Sequence, residues 1–273
     1  MRAPDGDAKV TAGVPVLATR DLTIRFGGHV AVNAVTCAFA QGTLTAIVGP
    51  NGAGKTTYFN LISGQLRPTN GSVTLLGKDI TGLGAPQRTR LGLGRAFQLT
   101  NLYPNLTVLE NVRLAVQSVA GIRYDILSIA GHDTKIATQA HRCLERVRLD
   151  AHSNQPAAAL AHGDQRKLEV AILLALQPKV FMFDEPTAGM SIDEVPIILD
   201  LIEEIKREGN KTVLLVEHKM DVVQRLADRI IVLQDGTLIA DGPPADVVAT
   251  PAVQQAYLGL PPAAEQSREA RHG

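Results

Sequence analysis

The loop Gly49-Pro50-Asn51-Gly52-Ala53-Gly54-Lys55-Thr56-Thr57 constrains this chain more than any other stretch. It fits GxxxxGK[ST], the loop that wraps the phosphates of a nucleoside triphosphate. Leu44 to Val48 before it reads as a buried strand, and Lys55 to Ser63 after it as a helix start. A strand, a glycine loop and a helix N-terminus aim backbone N–H groups and the positive dipole end at one point. Glycines let the backbone approach the phosphates, and Lys55 adds a mobile charge for the β- and γ-phosphates. The Thr56 hydroxyl is the expected Mg²⁺ ligand.

At 273 residues the chain is long enough for one large domain or two small ones. Lys+Arg and Asp+Glu both number 27, so the formal net charge is zero. That balance argues against a nucleic-acid groove or a polybasic membrane anchor. Cys37 and Cys143 lie far apart with no CxxC and no metal-ligand spacing, which suits a reduced, cytoplasmic chain. No stretch reaches the roughly 18 apolar residues of a membrane span, and no signal core opens the chain. Work at a membrane would therefore require docking onto other subunits. Residues 1–15 and 261–273 are small, polar and Pro/Ala-rich, and are expected to be disordered.

Val16 to Phe39 alternates apolar and polar around Gly27-Gly28, which predicts a β-hairpin. Gly71 to Gly77 reads as a further strand, and Thr107-Val108-Leu109-Glu110 as a capping box opening a helix. Leu114 to Leu149 is helical in pattern, with a break expected near Gly131 and apolar positions at Ile136, Ala140, Leu144 and Val147. The C-terminal half alternates strands (Lys179 to Phe183, Thr212 to Glu217, Ile230 to Leu233) with helices (Glu194 to Arg207, Val222 to Arg229). Such alternation predicts a mostly parallel sheet with helical cover. Pro196 is expected in the first turn of its helix.

Val180-Phe181-Met182-Phe183-Asp184-Glu185 sets two carboxylates after an apolar strand. A buried parallel strand delivers the residues at its carboxyl end to the ligand edge of the sheet. Asp184 is then expected to hold Mg²⁺ and Glu185 to polarise the attacking water.

These elements, taken in order with Gln98, with Leu160-Ala161-His162-Gly163-Asp164-Gln165 and with His218, resemble the ATPase subunit of ABC transporters over about residues 16–260. The resemblance implies a RecA-like α/β core, an antiparallel β subdomain and a helical subdomain over about 99–177. It implies that Gln98 senses Mg²⁺ and the γ-phosphate, that His218 contacts the γ-phosphate, and that Phe26 stacks on adenine. Leu160 to Gln165 would face the ATP of a second ATPase subunit, paired head to tail. Ala161 departs from the family's signature serine, His162 and Asp164 from its glycine and glutamine, Ser191 from its aspartate, and Ile172 from an arginine. With Ala256-Tyr257-Leu258-Gly259 and the Leu99 to Thr107 segment, these departures resemble the larger, LivG-type ATPase subunit of branched-chain amino acid importers and its urea and amide relatives. Implied partners are a paralogous or identical ATPase, two transmembrane permease subunits and, indirectly, a periplasmic solute-binding protein. The implied place is the cytoplasmic face of the inner membrane. A lipid or lipopolysaccharide exporter is the alternative. A soluble ATPase acting on ribosomes or DNA is disfavoured, because the chain has neither a second core nor a long coiled-coil insertion.

Overall fold

A computed structural model describes residues 15–96, 102–120 and 129–258. The chain opens with β1 (Leu17–Phe26) and β2 (His29–Phe39), the expected hairpin about Gly27-Gly28. Then come β3 (Leu44–Val48), α1 (Lys55–Ser63), β4 (Asn70–Leu75), β5 (Lys78–Asp79), α2 (Ala85–Arg90) and β6 (Leu93–Ala96). Three helices come next: α3 (Val108–Ala120), α4 (Ile129–Arg146) and α5 (His162–Ala175). The C-terminal half runs β7 (Val180–Asp184), α6 (Val195–Arg207), β8 (Thr212–Val216), α7 (Met220–Leu226), β9 (Arg229–Gln234), β10 (Thr237–Gly242), α8 (Pro244–Val248) and α9 (Pro251–Leu258).

The strands form two sheets. β2-β1-β4-β5 is antiparallel, and β10-β9-β3-β8-β7-β6 is parallel except for its β10 edge. Alternation along the parallel strands divides the core in two. Val180, Met182, Leu214 and Val216 face α1 and the antiparallel sheet, where Tyr58, Phe59 and Ile62 of α1 pack with Leu17, Val35 and Phe39. Phe181, Phe183, Val213 and Leu215 face the other way, onto α5 and α6. The same cluster continues through α3 and α4, where Ile136, Ala140, Leu144 and Val147 are buried as their spacing required.

Some boundaries differ from expectation. The break expected near Gly131 is close to a helix start, since α3 ends at Ala120 and α4 begins at Ile129 with Gly131 in its first turn. The helix read from Val222 to Arg229 instead spans Met220–Leu226. It stops there because the Asp228 carboxylate accepts the Leu44 N–H at 2.9 Å and Arg229 enters β9. Glu194 caps α6 and Pro196 lies in its first turn. The Thr107–Glu110 capping box forms, with Thr107 N–H donating to Glu110 at 2.8 Å and Glu110 N–H to the Thr107 hydroxyl at 3.1 Å. Among the described residues no helix is long and apolar enough to cross a membrane.

Candidate nucleotide site

The strand order places the chemistry-bearing residues together. β3, β8, β7 and β6 are adjacent and parallel, so their carboxyl ends lie along one edge of the sheet. The phosphate loop leaves β3, His218 comes after β8, Asp184 closes β7, and β6 runs toward Gln98. Gln98 itself lies outside the described residues, within the stretch 97–101.

Residues 51–57, with His29, Ala31 and Glu185, line a cavity of about 310 Å³. A larger, open cleft of about 740 Å³ between α4 and the end of α6 shares no residue with it. Backbone crowding shapes the loop: a Cβ on Gly49 would fall 2.2 Å from the Leu233 carbonyl oxygen, and one on Gly54 2.5 Å from that of Ala31. Both glycines have positive φ, so the loop is held against β2 and β9 in a form that side chains would prevent. α1 starts at Gly54 with no side-chain cap and no acidic residue in its first turn, leaving its positive end open toward the cavity.

Lys55 is buried and its ammonium donates to the Gly49 and Pro50 carbonyls at 2.7 and 2.9 Å. Burial lowers its pKa, opposed by the carboxylates of Glu185 and Asp184. Asp184 is paired with Arg95 of β6, Oδ2 to Nη2 at 2.7 Å, with side chains only 8% and 6% exposed. Burial raises the pKa of Asp184, and the guanidinium opposes the rise. Glu185 extends the β7–β8 ladder by donating its N–H to Val216 at 2.9 Å, yet it has φ 49°. This left-handed turn is costly for a non-glycine residue. It swings the Glu185 side chain into the cavity, where its carboxylate lies 3.9 Å from His218 Nδ1.

The residues present fit a nucleotide with a hard cation. The open helix end and Lys55 suit phosphates, and the Thr56 hydroxyl with the Asp184 carboxylate makes an oxygen donor set. Mg²⁺ is typically bound through one or two protein oxygens plus phosphates, which is the kind of donor set present here. Phe26 is 51% exposed at the hairpin end beside His29, so it is not a core aromatic.

The Leu160 to Gln165 segment behaves differently. α5 begins at His162 with Ala161 as an uncapped N-cap, and both are exposed. Gly163 is buried beneath Glu194: a Cβ there would lie 2.3 Å from both of that residue's carboxylate oxygens. Glu194 is held by Ser191, whose N–H and hydroxyl donate to Oε2 at 3.1 and 2.9 Å, and by Lys167 at 3.3 Å. These bonds, the Ser191 N–H foremost, lower its pKa. Lys167 also donates to Asp164 at 2.8 Å. Ile172 packs against the α3–α5 core.

The ABC transporter family pattern matches residues 32–188, more than half of the chain. The chain belongs to the ABC transporter ATP-binding proteins. A second pattern, described as branched-chain amino acid ATP-binding cassette transporter, matches residues 237–260. The chain is 39% identical over 250 residues to the high-affinity branched-chain amino acid transport ATP-binding protein LivG of Salmonella typhimurium, covering 90% of this chain and 98% of the relative. It is 37% identical to BraF of Pseudomonas aeruginosa, with the same coverages. The ADP conformation of the cassette MJ1267 superposes with a TM-score of 0.75 at 28% identity, covering 90% of this chain and 99% of that one. A dimeric, post-hydrolysis state of MJ0796 bound to ADP and Pi superposes at 0.72 and 27% identity, covering 83% and 98%. This ABC protein is thus an ATP-hydrolysing subunit with the P-loop α/β fold.

Sequence reasoning overlooked Arg95, Glu194 and Arg88. Arg88 is 1% exposed. Its Nη1 donates to the Leu61 and Ile62 carbonyls at 2.7 Å each, Nε to Leu83 at 2.9 Å, and Nη2 to Thr81 at 3.0 Å. It thereby places a cation at the negative end of the phosphate-loop helix. No local pattern announces such an arginine, because every partner is supplied by the fold.

Proposed function

We propose that this chain is the ATPase subunit of an importer for branched-chain amino acids or related small solutes, working at the cytoplasmic face of the inner membrane. The observation that carries this reading is the likeness to LivG over 90% of the chain, joined to the separate match at residues 237–260. Its partners would be a second ATPase, identical or paralogous, and two permease subunits. A periplasmic solute-binding protein would deliver the solute.

In this reading the open end of α1 and Lys55 bind the triphosphate, and Phe26 packs on the base. Mg²⁺ would be held by Thr56, Asp184 and Gln98, and would neutralise charge on the β- and γ-oxygens. Glu185 accepts a proton from the attacking water. His218, within reach of Glu185, contacts the γ-phosphate. Exposed Ala161 and His162 lie at the start of α5, at the face that would meet the partner's nucleotide. ATP bonded from both faces favours the closed dimer, and loss of phosphate releases it.

The test is the intact complex, purified with its permeases and reconstituted in proteoliposomes. Solute-binding protein loaded with leucine, isoleucine or valine should stimulate ATP hydrolysis and drive uptake of the labelled amino acid. Stimulation by urea or an amide alone would change the solute, and ATP-driven lipid extraction would replace the importer by an exporter.

A further inference from the structure

We infer that Arg95 is the positioning residue for the cation-binding carboxylate, joining the Mg²⁺ site to the phosphate-loop helix and to the strand that leads to Gln98. The inference rests on the reading of Asp184 as a Mg²⁺ ligand.

The guanidinium makes contacts that no local motif requires. Nη2 takes Oδ2 of Asp184 at 2.7 Å, while Nη1 donates to Asn60 Oδ1 at 2.7 Å and Ser63 Oγ at 2.9 Å, both on α1. Its carbon lies 5.1 Å from the centre of the Phe59 ring, also on α1. Arg95 pairs with Met182 in the parallel β6–β7 register, so the side chain reaches Asp184 from the neighbouring strand. A planar fork fixed at both ends holds one carboxylate oxygen and leaves Oδ1 as the one open to the cation or its water. A mere countercharge needs no second anchor and would weaken cation binding by repulsion. The double anchoring on α1 points to geometry instead.

The test uses the full chain saturated with a non-hydrolysable ATP analogue, with Mn²⁺ affinity read from the free-ion EPR signal. Arg95→Met should weaken Mn²⁺ binding about tenfold while metal-free binding of the analogue stays within about twofold. Arg95→Lys should weaken it comparably, because an ammonium cannot bridge Asp184, Asn60 and Ser63 together. If an arginine variant fails to fold by circular dichroism, Asn60→Ala combined with Ser63→Ala removes the anchors and keeps the charge. That double variant should lose affinity in the same direction, by about threefold. Unchanged or tighter Mn²⁺ binding in the folded variants, or full rescue by lysine, overturns the inference. Asp184→Asn separates the two readings. If it loses Mn²⁺ while Arg95→Met does not, only the role of Arg95 falls, and if it keeps Mn²⁺, both fall.

Discussion

The phosphate-loop half of the site and the signature half are built on opposite plans. Around the phosphate loop three charged side chains are engaged within the chain: Lys55 on loop carbonyls, Asp184 on Arg95, and Arg88 beneath α1. At the signature half Ala161 and His162 are exposed, and Ile192 nearby is 90% exposed. A hydrophobic residue left so open on a loop beside a helix start suits contact with another surface. The contrast teaches that one half is pre-organised by contacts within the chain, whereas the other presents an ordered but exposed surface. Glu185, in the phosphate-loop cavity, and His218 beside it have side chains 45% and 55% exposed.

The largest expected effect bears on the chemistry at that carboxylate. Glu185→Gln should slow ATP turnover of the assembled transporter by roughly 10²- to 10⁴-fold, as expected for loss of a general base. Nucleotide affinity, measured by equilibrium binding, should stay near wild type. Normal steady-state turnover would remove Glu185 from its role.

Breaking the pre-organised half comes next. Arg88→Ala leaves several buried carbonyls without donors and should cost about 3 kcal/mol of stability, read by urea denaturation. A loss below about 1 kcal/mol would mean that α1 does not depend on this cap. Lys55→Ala removes a charged donor to phosphate worth about 1.5–3 kcal/mol, hence a roughly 10- to 100-fold weaker nucleotide Kd by calorimetry. Unaltered affinity would show that the helix end alone binds the phosphates.

The signature half predicts a smaller, opposite change. Ala161→Ser restores a hydroxyl at the exposed N-cap, where one hydrogen bond is worth about 1 kcal/mol. In a Glu185→Gln background it should tighten ATP-dependent dimerisation about fivefold, read by sedimentation. No change would mean that the lost hydroxyl is not what limits closure.

The pH dependence of the built half is the subtlest measure. Burial moves the Cys37 thiol from near 9.0 up to about 11, with a Tyr58 hydrogen bond opposing. The folded state therefore keeps this proton longer than the unfolded chain. The stabilisation is whole below pH 9 and fades as pH rises toward 11, by roughly 2–3 kcal/mol in all. Cys37→Ser should flatten that alkaline loss in denaturation curves taken between about pH 8 and 11. A slope unchanged by the substitution would assign the loss elsewhere.

Much of the fold was legible because it is written in local patterns. The hairpin, the capping box and the apolar strands β7 and β8 can be read from alternation and spacing over a few residues. β6 was not legible, since Leu93-Gly94-Arg95-Ala96 has neither alternation nor β-branched residues. Its glycine is explained only by the packing, since a Cβ at Gly94 would lie 2.4 Å from Leu173 of α5 and 2.8 Å from Pro178. α2 and β10 were unread for the same reason, being short elements stabilised by the surfaces they pack on.

The sequence alone determined that this chain binds a triphosphate and in what order its site segments come, because a glycine loop acts through its own backbone and an apolar strand fixes where the carboxylates that end it emerge. Tertiary structure alone decided which groups hold those segments in place. Arg95 finds Asp184 across 89 residues, and Arg88 finds Leu61 across 27. Glu194 covers Gly163 from another helix. A charged side chain's role depends on which buried partner lies within about 3 Å, and chain folding, not spacing, sets that distance.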